Sequence, residues 1–160
     1  MPWSDLYHYW LSKHAEGRPP SRKDIDPLIE IPSLVANIML IAIEHGGYRN
    51  RLIGSMIVRR VGHDDTGRLI DRELFGPRTL AIWRGLMDEV SGTQHPRLVS
   101  VRIAPSERQT MLTLMLPLVG CDGRTEGIFS GCFFDRLAGP VHDVSLGAIE
   151  ITIPYEEAGF

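Results

Sequence analysis

Residues Ile38–Gly54 read IMLIAIEHGGYRNRLIG, and this stretch decides the fold. Ile38–Glu44 is nearly all apolar, as expected of a central strand covered on both sides. His45-Gly46-Gly47 supplies a turn whose residues tolerate positive φ. Tyr48–Ile53 then alternates, with Tyr48, Asn50 and Leu52 on one face and Arg49, Arg51 and Ile53 on the other. Gly54 closes the strand. Ser55–Val61 follows at once as a short helix carrying Met56, Ile57, Val58 and Val61, with Gly62 as its stop. A hairpin feeding directly into a short helix is the opening of an antiparallel sheet.

Upstream, Trp3, Leu6, Tyr7, Trp10, Leu11 and His14 fall at helical spacing on one face. Ser4 is the expected N-cap, and Gly17, Pro19 and Pro20 end the segment. The aromatic stripe has two readings. It packs on the chain's own core, or it forms a dimer seam or docking face, since aromatic residues are enriched at interfaces. The second reading is weighted slightly higher, with Trp3, Leu6, Tyr7, Trp10 and Leu11 as its contact residues. Ser21–Pro32 is a polar connection in which prolines 27 and 32 disfavour helix in the residues before them.

Downstream, Gly62-His63-Asp64-Asp65-Thr66-Gly67 is a loop, and a longer helix runs from Arg78 to Val90 with Leu80, Trp83, Met87 and Val90 along one stripe and Gly92 as its stop. Arg97–Ala104, Gln109–Val119 and Glu126–Arg136 are three strands, the last two joined by the turn Gly120-Cys121-Asp122-Gly123. Leucines at 112, 114, 116 and 118 mark one face of the middle strand. Val144–Ile153 is extended or irregular in pattern. A two-strand hairpin and a three-strand meander separated by helices give one antiparallel α+β sheet with helices on one face, plus the N-terminal helix. The expected division is an N-terminal helix and linker over 1–32, a core over 33–136 and a tail over 137–160.

The totals exclude some functions. A chain of 160 residues with 43% apolar and 23% charged residues fits one soluble domain with a real core. Net charge is −3 and the arginines are scattered, so no nucleic-acid surface is expected. No apolar run approaches the ~20 residues that span a bilayer, and no signal peptide is evident, so the expected compartment is the cytoplasm. Cys121 and Cys132 read as two free thiols, one in a turn and one well along the following strand.

The order and spacing of several short stretches resemble the proteobacterial single-domain PAS proteins. These are Tyr9-Trp10, Pro20–Pro27 with Ile31-Pro32 following, Ile38–Glu44, Tyr48–Gly54, Gly62–Gly67, and Leu116-Pro117-Leu118 followed by Asp122-Gly123. The resemblance implies a five-stranded sheet, a cavity between sheet and helices, and dimerisation through N-terminal helices. It implies a module that makes and breaks contacts rather than covalent bonds. Two positions depart from it: Asn50 stands where the family commonly has an aromatic, and His63 where it usually has Arg. Haem-binding relatives use a helical histidine before the meander, and the helix from Arg78 to Val90 has none. The Asn-Cys-Arg-Phe motif of flavin photosensors is absent too. No cofactor and no metal site is therefore expected.

Three constellations bear on chemistry. His63-Asp64-Asp65 reads either as an acid–base cluster or as a polar loop whose aspartates cap backbone N–H groups, and the second is preferred. Arg49 and Arg51 read either as an anion site or as a face ion-paired to Glu44 or Asp24, and the second is preferred. Met56, Trp83 and Met87 are the cavity candidates from the helices, although plain core is the commoner use of such residues. Tyr48 and Asn50 join them from the hairpin. From the last strand the set Ile128, Ser130, Cys132 and Phe134, opposite the leucine row, is preferred to Phe129, Gly131, Phe133 and Asp135. The function expected is a stand-alone sensory module that binds a small ligand, a signalling protein partner or both and acts as a homodimer through association. The alternatives are a small hydrolase or isomerase with a sheet–helix pocket, which needs His63 or Asp135 in an enclosed cavity, and a ligand-free scaffold.

Overall fold

The computed structural model describes residues 2–104, 110–134 and 149–154. In chain order the elements are helix α1 (Pro2–Ser12), α2 (Pro27–Glu30), strands β1 (Ile38–Glu44) and β2 (Gly47–Ile53), helices α3 (Ser55–Val61) and α4 (Pro77–Thr93), then strands β3 (Arg97–Ala104), β4 (Thr110–Val119), β5 (Thr125–Phe133) and β6 (Ile149–Pro154). The strands form one sheet in the order β2-β1-β5-β4-β3-β6. The first five are antiparallel to their neighbours, and β6 adds itself parallel to the free edge of β3. The described part of the tail, Ile149–Pro154, thus forms a sixth strand. Asp135 lies outside the described residues.

Local chemistry sets most boundaries. Gly62 ends α3 in the left-handed conformation, φ +93°, and its N–H returns to the Val58 carbonyl. Gly54 must be glycine, because a Cβ there would lie 2.3 Å from the Ala36 carbonyl oxygen. Two boundaries differ from expectation. Ser4 lies inside α1, which begins at Pro2, and proline fits a first helical turn because its missing N–H is unneeded there. Helix α4 runs through Gly92 to Thr93 and is capped by Gln94 in the left-handed region, φ 56°.

The sheet is covered on both sides. On one face α4 packs Leu80, Trp83, Leu86, Met87 and Val90 against Ile41, Val99, Val101, Met115 and Ile128. On the other, α1 packs Leu6, Tyr9 and Trp10 against Leu40, Leu98, Phe129, Phe133 and the leucine row 112, 114, 116 and 118. The N-terminal helix is therefore part of the core that a boundary at 32/33 would detach. Leu6 and Trp10 correct the interface reading: both are buried in the chain's own sheet, and the Trp10 indole N–H donates to the Pro117 carbonyl at 2.9 Å. An amphipathic stripe states that a face is covered, not by what. Trp3 and Tyr7 are half-buried against the same cluster, and Leu11 is exposed.

A bulge decides what β2 shows to each side. Leu40 pairs with Leu52 but Ile41 pairs with Asn50, so Arg51 is an extra residue with no partner. The strict alternation read across Tyr48–Ile53 breaks there. Tyr48 and Asn50 stay on the α4 face, Ile53 joins them, and Leu52 turns to the α1 face. The outer edge of β2 is itself paired: Asn50 N–H donates to Arg68 O, Gly67 N–H to Asn50 O and Ile70 N–H to Tyr48 O.

Candidate functional site

Between the sheet and α4, reached by α3 and the Gly62–Leu74 segment, lies a cavity of about 120 Å³. The bulge at Arg51 and the paired segment beyond β2 place Asn50 in its wall. Of the candidate ligand residues, Asn50, Trp83, Met87, Cys132 and Phe134 line it. Tyr48 and Met56 do not. Tyr48 is buried beside it and donates its hydroxyl to Asp88 at 2.5 Å, which ties β2 to α4. Burial first, then that hydrogen bond, raises the Tyr48 hydroxyl above the ordinary tyrosine range. Met56 is half-buried, and its neighbour Ile57 turns to the cavity instead.

Sequence reasoning passed over Met39, Met111, Thr113 and Met115, which also line the cavity. The signal was present. With the leucines of β4 assigned to one face, the residues between them must take the other. Cys132 Sγ stands 3.9 Å from Met39 Sδ and 3.7 Å from Thr113 Oγ1. Burial pushes the Cys132 thiol up to about 11, so it is a neutral thiol at physiological pH.

The polar groups of the wall are nearly all committed. Ser130 Oγ donates to Leu114 O at 2.9 Å. Asp65 is buried between His63, whose Nδ1 is 2.9 Å away, and Arg68 at 3.0 Å. Asn50 is the exception: the residue is 2% exposed, and its Oδ1 has no hydrogen-bond partner. Trp3 Nε1 is also buried without a partner, but it belongs to the α1 side.

The remaining constellations resolve to structure. Asp64 accepts from the Thr66 N–H at 2.9 Å and from its hydroxyl at 2.6 Å, a local turn bond. Arg49 and Arg51 both pair with Glu44, and Arg49 also reaches Gly67 O at 2.7 Å. These guanidiniums brace the hairpin and are not turned to an anion. Both cysteines are free, Cys121 exposed and Cys132 buried. Among the described residues no cluster of His, Cys, Asp and Glu is grouped to hold a metal, and no helix is long and apolar enough to cross a membrane.

A cavity between one mainly antiparallel sheet and its crossing helices agrees with the sequence comparison. The profile of the family described as PAS domain matches residues 1–133. The chain belongs to the PAS-domain family. No curated protein matches this PAS domain significantly. Among solved structures, the crystal structure of the Rhodobacter sphaeroides LOV protein is similar at 15% identity and a TM-score of 0.49, over 65% of this chain and 61% of that chain.

Proposed function

We propose that this PAS domain is a sensory module that takes a small molecule into the α4-side cavity and passes occupancy on through association with another chain. The observation that carries the reading is the buried, unpartnered Asn50 Oδ1 in the cavity wall. A space of about 120 Å³ left unfilled forgoes packing contacts. An orphaned amide oxygen costs about 1–3 kcal/mol. A scaffold whose core had only to be filled has no use for either cost, whereas a ligand removes both.

Native mass spectrometry of the freshly purified protein, repeated after denaturation, tests this. Excess mass that is lost on denaturation is the expected result. A clean apo mass, with no small molecule raising the melting temperature, overturns it. A ligand held at a hundred times its Kd stabilises by about 2.7 kcal/mol, which a melting curve resolves readily.

Association with a second copy is the output proposed. Of the residues assigned to that surface, Leu11 is exposed while Trp3 and Tyr7 are half-buried. A Tyr7→Ser, Leu11→Ser double variant is expected to lower the mass seen by light scattering. An unchanged dimer removes this face from the proposal.

One observation favours the enzyme alternative: His63 lines the cavity and is oriented by Asp65. An imidazole fixed by a carboxylate is the arrangement of a general base. Against it, Asp65 is shared with Arg68, and the Cys132 thiol is held neutral. His63→Gln separates the two readings, since a sensor keeps its ligand while a general-base enzyme loses turnover by about 10²–10⁴-fold.

A further inference from the structure

The chemistry of the wall narrows the ligand class, on the reading that this cavity is the ligand site. We infer that the ligand is a neutral, single-ring aromatic molecule bearing one O–H or N–H donor, a phenol- or aniline-like compound. Three observations converge. The first is size. An apolar cavity of about 150 Å³ holds one benzene ring, so a space of about 120 Å³ suits a ligand no larger than a single six-membered ring. The second is the surface. Met39, Met87, Met111, Met115 and Cys132 place sulfur around the space, with Trp83 beside them. Thioethers are polarizable, adaptable in shape, and make favourable contacts with aromatic rings.

The third is polarity. Among the described residues, the buried wall atom left without a hydrogen-bond partner is Asn50 Oδ1, and it is an acceptor. A ligand must therefore bring one donor. The Ser130 hydroxyl proton is already donated to the Leu114 carbonyl, and Asp65 is engaged by His63 and Arg68. Among the described residues no lysine or arginine lines the space, so a carboxylate or phosphate would enter without a cation from them to answer it. A purely apolar ring would fill the volume and leave the Asn50 oxygen as it is.

The test is titration of the intact protein, labelled at its methionine methyls, with phenol and with toluene, a ring of similar size that lacks the donor. Toluene is the more hydrophobic of the two. Without an acceptor in the wall it binds more tightly, because the phenol hydroxyl would give up water for nothing. With Asn50 in place, phenol is expected to bind at least as tightly as toluene and to shift the Met39, Met87, Met111 and Met115 methyls together. Asn50→Leu is expected to swing the phenol-to-toluene affinity ratio at least tenfold toward toluene. The wild-type comparison stands alone should that variant not fold. Toluene binding clearly better than phenol to the wild type overturns the donor class and leaves the cavity reading intact. Neither compound moving those methyls overturns both.

Discussion

The two faces of this sheet are built from the same strands and do opposite things. The α1 face is leucine on leucine with Phe129 and Phe133 between, and it is closed so tightly that a Cβ on Gly131 would meet Leu6 Cδ2 at 2.4 Å. The α4 face, one residue out of phase, is methionine, cysteine and threonine around a void, with an amide oxygen left unanswered. Leucine has few rotamers and specifies one packing, whereas methionine fills irregular and changing shapes. A period of two thus lets a single strand such as β4 carry a rigid wall on one side and an adaptable one on the other. Packing is closed on the first side and leaves open volume on the second.

Substitutions that treat the faces alike should give unlike results. The largest effect is expected from Trp10→Ala, which removes a buried indole and leaves the Pro117 carbonyl without its donor. A loss of about 3–5 kcal/mol is expected in urea unfolding. A variant as stable as the parent would place α1 off the sheet. Next comes the neighbouring pair Gly131 and Cys132. Gly131→Val drives a side chain into Leu6 and Phe133 and should cost about 3 kcal/mol. Cys132→Val grows into open volume and should cost less than about 1.5 kcal/mol while weakening ligand binding. Equal costs at the two positions would erase the distinction between the faces.

A smaller effect comes from alkali. The folded-state pKa of Cys132 is raised to about 11 from an ordinary 9.0, so its contribution is intact below pH 9 and is lost as pH climbs toward 11, because the unfolded chain releases its proton first. The loss attributable to Cys132 is about 2 kcal/mol at the upper end of that window. Tyr9 and Tyr48, also raised, act in the same direction, so the difference between parent and Cys132→Ala isolates the thiol. An identical alkaline decline in both would show that Cys132 is not shielded. The least effect, with no change in stability, is in labelling. Iodoacetamide should modify exposed Cys121 quickly and Cys132 only as the chain opens. Equal rates at the two thiols would mean that the cavity is open to solvent.

Much of the fold was legible because its boundaries are local. The His45-Gly46-Gly47 turn, the Gly62 stop and the Asp122-Gly123 turn each depend on residues within one or two positions, and β1, α3 and β3 fall where the sequence puts them. The last-strand set containing Cys132 and the helix stripe containing Trp83 and Met87 were legible through simple periodicity. What escaped depends on distant partners. The bulge at Arg51 exists only in the pairing of β2 with β1, and it alone turns Ile53 to the cavity. The burial of Leu6 and Trp10 depends on β4 and β5 being bare on that side, which no feature of residues 2–12 announces. The parallel addition of β6 to β3 is likewise a long-range choice.

The measurement that bears most directly on the two-faced sheet is methyl NMR of the intact protein under dissolved xenon, with methionine and leucine methyls labelled. Xenon has no donor or acceptor and reports apolar volume alone. The expected shifts are at Met39, Met87, Met111 and Met115, with Met56 and Leu112, Leu114, Leu116 and Leu118 unmoved. Shifts spread over the leucine row, or none at the four cavity methionines, would contradict it.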